Sequence, residues 1–334
     1  MKEFYPYLPI PFRLEDLRRR ADVTPLIINY HMVSDEELPY IKNLYHYRDV
    51  SGFRKDLELF RSVYQPVGMI DLLESLFPGG KPLPGNALIL TFDDGFREMH
   101  DIVVPLLLEF DIPATFFLTC NFIDNKSLNH DNKKSMLVES LKLGSSRDRS
   151  RKIDELIKEN DVPGKDPPDC IMSIPYAQRS LLDDIAEVMG IDFNQFLNEI
   201  QPYLTSTQVE NLIHSGFTIG AHSVDHANFG ELSQEGQIDQ IRKSLAFLAR
   251  RFSIDYSFYA FPYSDRGVSS ECFRAVSGEV DLTFGTHGLK RDRIRNHFQR
   301  INVEKYRQAA INTIKYHYSR LIILKKVKRE YIKR

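Results

Sequence analysis

Two pairs of ionisable residues, each placed directly after an apolar run, carry the chemistry of this chain. Asp93 and Asp94 follow ALILTF at Ala87–Phe92, and His222 and His226 follow FTIGA at 217–221. Adjacent carboxylates at the end of a buried strand are costly unless something pairs with them. Imidazoles four residues apart share a face if the segment turns helically. A carboxylate with two neutral imidazoles makes a three-ligand metal set that leaves positions open for water and substrate. Each motif alone has a plainer reading. The Asp-Asp-Gly run can be a strand-to-helix turn, with one Asp as helix cap and Gly95 supplying a special backbone angle. The histidines can be polar loop residues. What joins them is that both motifs close equivalent buried runs.

The elements that must position these residues follow from the pattern of apolar runs. Candidate strands are Leu26–Tyr30, Ala87–Phe92, 114–119, 217–221, 258–261, 281–286 and 298–303. Near-continuous runs such as ALILTF and ATFFL suit strands buried on both faces, as parallel sheets require. Between them, Phe53, Leu57, Phe60 and Tyr64 recur at helical spacing, as do Ile238, Ile241, Leu245, Leu248 and Phe252. Strands alternating with helices imply an open α/β sheet or a (β/α) barrel, whose active site lies at the C-terminal ends of the strands. Residues 124–205 break the rhythm. They are charge-rich, with helical patterns at 136–143, 153–158, Leu181–Met189 and Phe193–Ile200 around a Pro/Gly linker at 162–169. The expectation is a mostly helical insertion that caps one side of the barrel mouth, within a single domain spanning 1–334.

Composition narrows the function. The 44 basic and 46 acidic residues leave a net charge of -2, which argues against the basic field that nucleic-acid binding needs. Cys120, Cys170 and Cys272 are odd in number and lack a CxxC pair, so they read as thiols in a reducing compartment. The N-terminus shows no secretory h-region, and no apolar run is long enough to span a bilayer. The expected location is cytoplasmic. The tail, 304–334, reads as a helix ending in LIILKKVKREYIKR. Two placements are open for it: docking on the barrel with a solvated basic end, or peripheral contact with an anionic membrane. Oligomeric state is not readable.

TFDDG followed downstream by HSxxH resembles the signature pair of the polysaccharide deacetylase family, the NodB-homology or carbohydrate esterase 4 group. The similarity runs from Tyr30-His31 to the 298–303 strand, insertion excepted. It implies a distorted (β/α)7 barrel, matching the seven strands counted. It also implies that Asp94, His222 and His226 bind one divalent ion, that Asp93 is the catalytic base, and that the substrate is an N-acetylated carbohydrate, read here as a glycan precursor or a nucleotide- or lipid-linked amino sugar. Zinc is the default ion, and iron, cobalt, manganese and nickel also accept such ligands.

Two family motifs are altered. The third usually reads Arg-x-Pro-Tyr, its arginine orienting the base. Here it is Ala260-Phe261-Pro262-Tyr263, which keeps Tyr263, the oxyanion donor through its backbone N–H, and loses the arginine. Asp265 and Arg266, just downstream, are expected to take the orienting role. The late Leu-x-His motif that supplies the general acid is also absent. His287 is the expected substitute, ahead of His297, and Arg300 is expected to contact an anionic part of the substrate. His31 is expected to pack beside the site without binding metal. The substitutions leave room for hydrolysis of a non-sugar amide or cyclic imide on the same site, or for an inactive glycan-binding member. An iron oxygenase with two histidines and a carboxylate would need a β-rich fold, against the α/β pattern.

Overall fold

The computed structural model describes residues 10–144, 146–304 and 308–334. Nine strands form one parallel sheet: β1 (Leu26–Tyr30), β2 (Gln65–Pro66), β3 (Ala87–Phe92), β4 (Ala114–Leu118), β5 (Thr218–Ala221), β6 (Phe258–Ala260), β7 (Leu282–Gly285), β8 (His297–Gln299) and β9 (Ile301–Asn302). Their order is β8-β7-β6-β5-β4-β3-β1-β9, with the short β2 paired beside the start of β3. Because β8 and β9 are separated only by Arg300, the two ends of that order are one strand. It pairs with β7 through Phe284↔Phe298 and with β1 through Ile28↔Ile301. The ring is thereby closed, with seven staves when β8 and β9 are counted as one and β2, which lies off the path, is left out.

The strands are where the apolar runs place them, and β1, β3 and β4 are buried at every position. Parallel pairing forces crossovers, and helices supply them. Val50–Val63 starts on an Asp49 cap and buries Phe53, Leu57 and Phe60; Gln234–Phe252 starts on a Ser233 cap and buries Ile241 and Leu248. The expected unbroken strand at 298–303 is interrupted at Arg300, where the chain changes partner. The Arg300 N–H still donates to the Gly285 carbonyl at 3.0 Å, and its own carbonyl accepts from the Gly288 N–H at 3.1 Å.

Between β4 and β5 come the helices His130–Lys142, Arg147–Glu159, Pro167–Ser173, Leu181–Met189, Phe193–Ile200 and Ser206–His214. The first five build a second apolar cluster, in which Leu137, Ile153, Ile171 and Leu182 meet Met32 and Phe96 from the loops after β1 and β3, while Val209 and Leu212 of the sixth join the main barrel cluster. This layer therefore rests on the end of the barrel that bears the motifs. The linker expected at 162–169 is shorter than its composition suggested. Pro167 opens a helix at the position where its missing N–H has no cost, and Asp166 caps it by accepting from the Asp169 N–H at 2.9 Å.

The tail also departs from expectation. Residues 305–307 of the expected 304–334 helix lie outside the described residues, and the helix observed is Ala310–Lys326. Ala310, Ile314, Tyr318 and Leu321 pack into the barrel's outer cluster. Beyond the helix the chain folds back beside Arg291, whose N–H donates to the Glu330 carbonyl, and ends with the Arg334 side chain only 8% exposed. No helix among the described residues is long and apolar enough to cross a membrane.

Candidate active site

Each motif residue lies at the C-terminal end of a strand: His31 after β1, Asp93 and Asp94 after β3, His222 after β5, Tyr263 after β6. Asp94, His222 and His226 are all buried, and one ligand atom from each lies within 4.8 Å of the others. The two Nε2 atoms stand 3.4 and 3.1 Å from Asp94 Oδ1. His222 Nδ1 lies 2.9 Å from the Ala260 carbonyl, so it is the protonated nitrogen and leaves the Nε2 lone pair facing Asp94. Acceptors thus converge there, and Asp94 Oδ1 is buried without a hydrogen bond. Such a group asks for a cation.

The histidine pair does not converge by a helical turn. Residues 222–226 form a loop with positive φ at Ser223 (69°) and His226 (61°), pinned by a 2.9 Å bond from the His226 N–H to Ser223 Oγ. Asp94 (73°) and Tyr263 (56°) are also left-handed. Four non-glycine residues in this sparsely populated region around one centre are the pattern of a site whose geometry is imposed by its surroundings.

Asp93 is gripped by Arg300. The guanidinium donates Nη1 to Oδ1 at 2.6 Å and Nη2 to Oδ2 at 2.7 Å. Burial disfavours the charged carboxylate most, but the charge and hydrogen bonds of Arg300, with the nearby imidazoles His222 and His31, together hold the Asp93 pKa below its ordinary value. Arg300 also donates to Thr91 Oγ1 and lies over the Phe117 ring. This corrects two expectations. Arg300 is fully buried with its guanidinium committed to Asp93, away from any anionic substrate group, and the arginine that holds Asp93 comes from the β8/β9 break, not from Asp265-Arg266. Asp265 pairs instead with His297 (3.0 Å), Gln299 (2.9 Å) and Arg334 (2.5 Å), while Arg266 is exposed.

His31 is closer to the reacting groups than expected. Its Nε2 is 3.9 Å from Asp93 Oδ2, and its Nδ1 bonds Glu304 at 2.9 Å. The same carboxylate accepts the backbone N–H groups of His31 and Met32. Burial works most strongly against a charged imidazole, yet the hydrogen bond and charge of Glu304, with the nearby carboxylates Asp94 and Asp93, raise the His31 pKa to about 9. His287, the expected acid, belongs to another group, with its Nε2 3.4 Å from Asp265 Oδ1. Among the described residues no hydrogen bond or ion pair joins it to Asp93, Asp94, His222 or His226.

Sequence reasoning missed Glu304 and Asp131. Glu304 lies two residues beyond the last barrel strand, a position where a carboxylate should draw notice. Asp131, from the helical layer, accepts the Tyr263 hydroxyl at 2.7 Å, while the Tyr263 ring packs 4.7 Å from that of His226. Tyr176 of the same layer donates to Asp225, between the two metal-type histidines. Pro262 precedes Tyr263 in the loop, and its carbonyl accepts from the Ser264 N–H at 2.6 Å.

Comparison with known proteins gives the same direction. The family model described as polysaccharide deacetylase matches residues 80–164 and 178–284. A 61-residue stretch is 41% identical to the poly-beta-1,6-N-acetyl-D-glucosamine N-deacetylase of Escherichia coli K12; it covers 18% of this chain and 9% of that protein's length. In structure the chain is similar to Streptococcus pyogenes deacetylase PplD in complex with acetate. The TM-score is 0.56 at 14% identity, covering 88% of this chain and 98% of that one. A de-N-acetylase from Aggregatibacter actinomycetemcomitans gives 0.53 at 14% identity over 87% and 98%. At such identities the two structures speak to the fold, a NodB-type (β/α) barrel.

Proposed function

The chain belongs to the polysaccharide deacetylase family, and on that premise we propose that it hydrolyses the N-acetyl group of an N-acetylated carbohydrate with one divalent ion held by Asp94, His222 and His226. The observation that carries this reading is the buried convergence of those three ligands beside an Asp93 held in an arginine fork. The donors fit the ion: one carboxylate oxygen without a hydrogen bond and two imidazoles whose Nε2 atoms face it. Zinc suits this set best, with iron, cobalt, manganese and nickel as other candidates. When bound, the ion lowers the pKa of water and polarises the acetyl carbonyl.

The remaining steps fall to the chain's own side chains. Asp93, kept ionised by Arg300, takes a proton from the attacking water. The Tyr263 backbone N–H is the donor assigned to the tetrahedral oxyanion. His31 replaces His287 as the proton donor to the departing amine. Glu304 holds its Nδ1–H, which leaves the Nε2 proton, on the side of Asp93, as the one to be given. The products are acetate and a free amine.

Metal analysis and acetate release test these roles together. Asp94→Asn should lose metal and activity, whereas Asp93→Asn should keep metal and lose turnover. A fully active Asp93→Asn protein would sink the assignment.

A further inference from the structure

Next to the metal site, and sharing Tyr263 with it, lies a cavity of about 690 Å³. Its lining is unlike that of a cleft for neutral sugar chains, where aromatic faces stack on rings. Tyr263 is the one phenolic or phenyl ring in it. Besides Arg300, which borders the cavity but is fully buried with its guanidinium on Asp93, three cations enter it from three separate elements: Arg266 from the loop after β6, Lys290 from the loop after β7, and Arg320 from the helix Ala310–Lys326. Among the described residues none of the three side chains has a hydrogen bond or ion pair. The one acidic residue in the lining, Glu231, is already engaged, accepting from Asn228 at 2.9 Å and from the Tyr176 N–H at 3.1 Å.

Unpaired cations converging in a concave site are unusual on a chain whose net charge is -2. Low-dielectric walls focus such a field into the cavity. His287, also in the lining, feels it. Burial depresses its pKa and Asp265 opposes, but Arg266 and Lys290 add to the depression. A single carboxylate would be served by one arginine fork, whereas cations arriving from three directions suit a group with several charged oxygens. The volume is that of a site for a whole ligand group and exceeds what a lone ion needs.

We propose that this cavity binds the phosphate or diphosphate of a carrier-linked amino sugar, whose acetamide then reaches Asp93 and Asp94. The proposal rests on the deacetylase reading and adds the substrate class. A nucleotide and a lipid carrier both present the same diphosphate chemistry.

The test compares acetate release by the metal-loaded protein from three substrates: UDP-N-acetylglucosamine, N-acetylglucosamine on a polyprenyl diphosphate in detergent, and neutral triacetylchitotriose. At least one diphosphate substrate should exceed the neutral one in kcat/KM by tenfold or more, and the better of the two identifies the carrier. Lys290→Gln/Arg320→Gln should raise KM for that substrate tenfold or more, leaving kcat and the neutral substrate unchanged. Arg320→Lys alone should keep most of the affinity. Equal or better use of the neutral oligosaccharide, with no effect of the double substitution, overturns the proposal. A calorimetric titration with UDP-glucose, which has the diphosphate but no acetamide, separates the two readings. If no substrate releases acetate, the deacetylase reading fails. Binding of UDP-glucose that weakens tenfold in the double variant then still upholds the anion site, and absence of that binding rejects it.

Discussion

Arg300 and Asp93, 207 residues apart in the chain, meet as a fork on a fork, with two parallel N–H···O bonds of 2.6 and 2.7 Å out of contact with solvent. Lysine cannot reproduce two parallel bonds. Arg300→Lys should therefore retain metal and lower kcat by roughly 10²-fold, the scale expected when a reacting group is misplaced by about an ångström. Arg300→Ala leaves a buried carboxylate alone and should cost roughly 3–5 kcal/mol of stability. Acetate release, metal content and urea denaturation check the three statements.

Glu304 sets the charge on His31. In metal-free protein, His31 should titrate near 9, and Glu304→Gln should bring it back towards the ordinary histidine value. Because the folded pKa is raised, the pair's contribution to stability is present below the ordinary value of about 6.5 and is lost as pH rises through about 9. Nitrogen-15 NMR of the histidine rings follows the titration directly. An unshifted His31 in the variant would remove Glu304 from the scheme.

Gly285, the last residue of β7, has no room for a side chain. A Cβ there would stand 2.3 Å from Asp265 Oδ1 and 2.7 Å from Gln299 Oε1. Gly285→Ala should destabilise the fold by about 1–3 kcal/mol, the usual cost of overfilling a packed interior. Chemical denaturation at neutral pH measures it.

Arg334 joins the tail to the barrel by bonding Asp265 at 2.5 Å and Asp292 at 2.7 Å while its guanidinium lies over Phe273. Burial resists the charge on Asp265, but His297, then His287 and Arg334, hold its pKa far below the ordinary value. A depressed carboxyl stabilises above its ordinary pKa of about 3.9 and loses that contribution as pH falls towards the depressed value. Arg334→Gln should therefore cost about 1–3 kcal/mol, equally at pH 7 and pH 5. A difference confined to one of those pH values would contradict the account.

How much of this was legible depended on distance along the chain. The strands could be read because burial on both faces leaves unbroken apolar runs, and the seven-stave barrel followed. Asp93, Asp94, His222 and His226 could be read because each pair lies within five residues. Arg300 and Glu304 could not be assigned, since their partners are chosen by closure of the ring, which no local pattern records. His31 was placed near the site, but its charge comes from a carboxylate 273 residues away. The loop path from His222 to His226 was hidden for another reason: Ser223 and His226 adopt backbone angles their residue types seldom take.

The break at Arg300 has a consequence for the order of assembly. The bond that seals β7 to β1 and the group that aims the base belong to the same short stretch, 297–302. A nascent or nicked chain lacking that stretch would carry Asp94, His222 and His226 and still lack the arginine fork on Asp93. On the proposed roles, the earlier motifs alone would be inert and turnover would report completion of the fold.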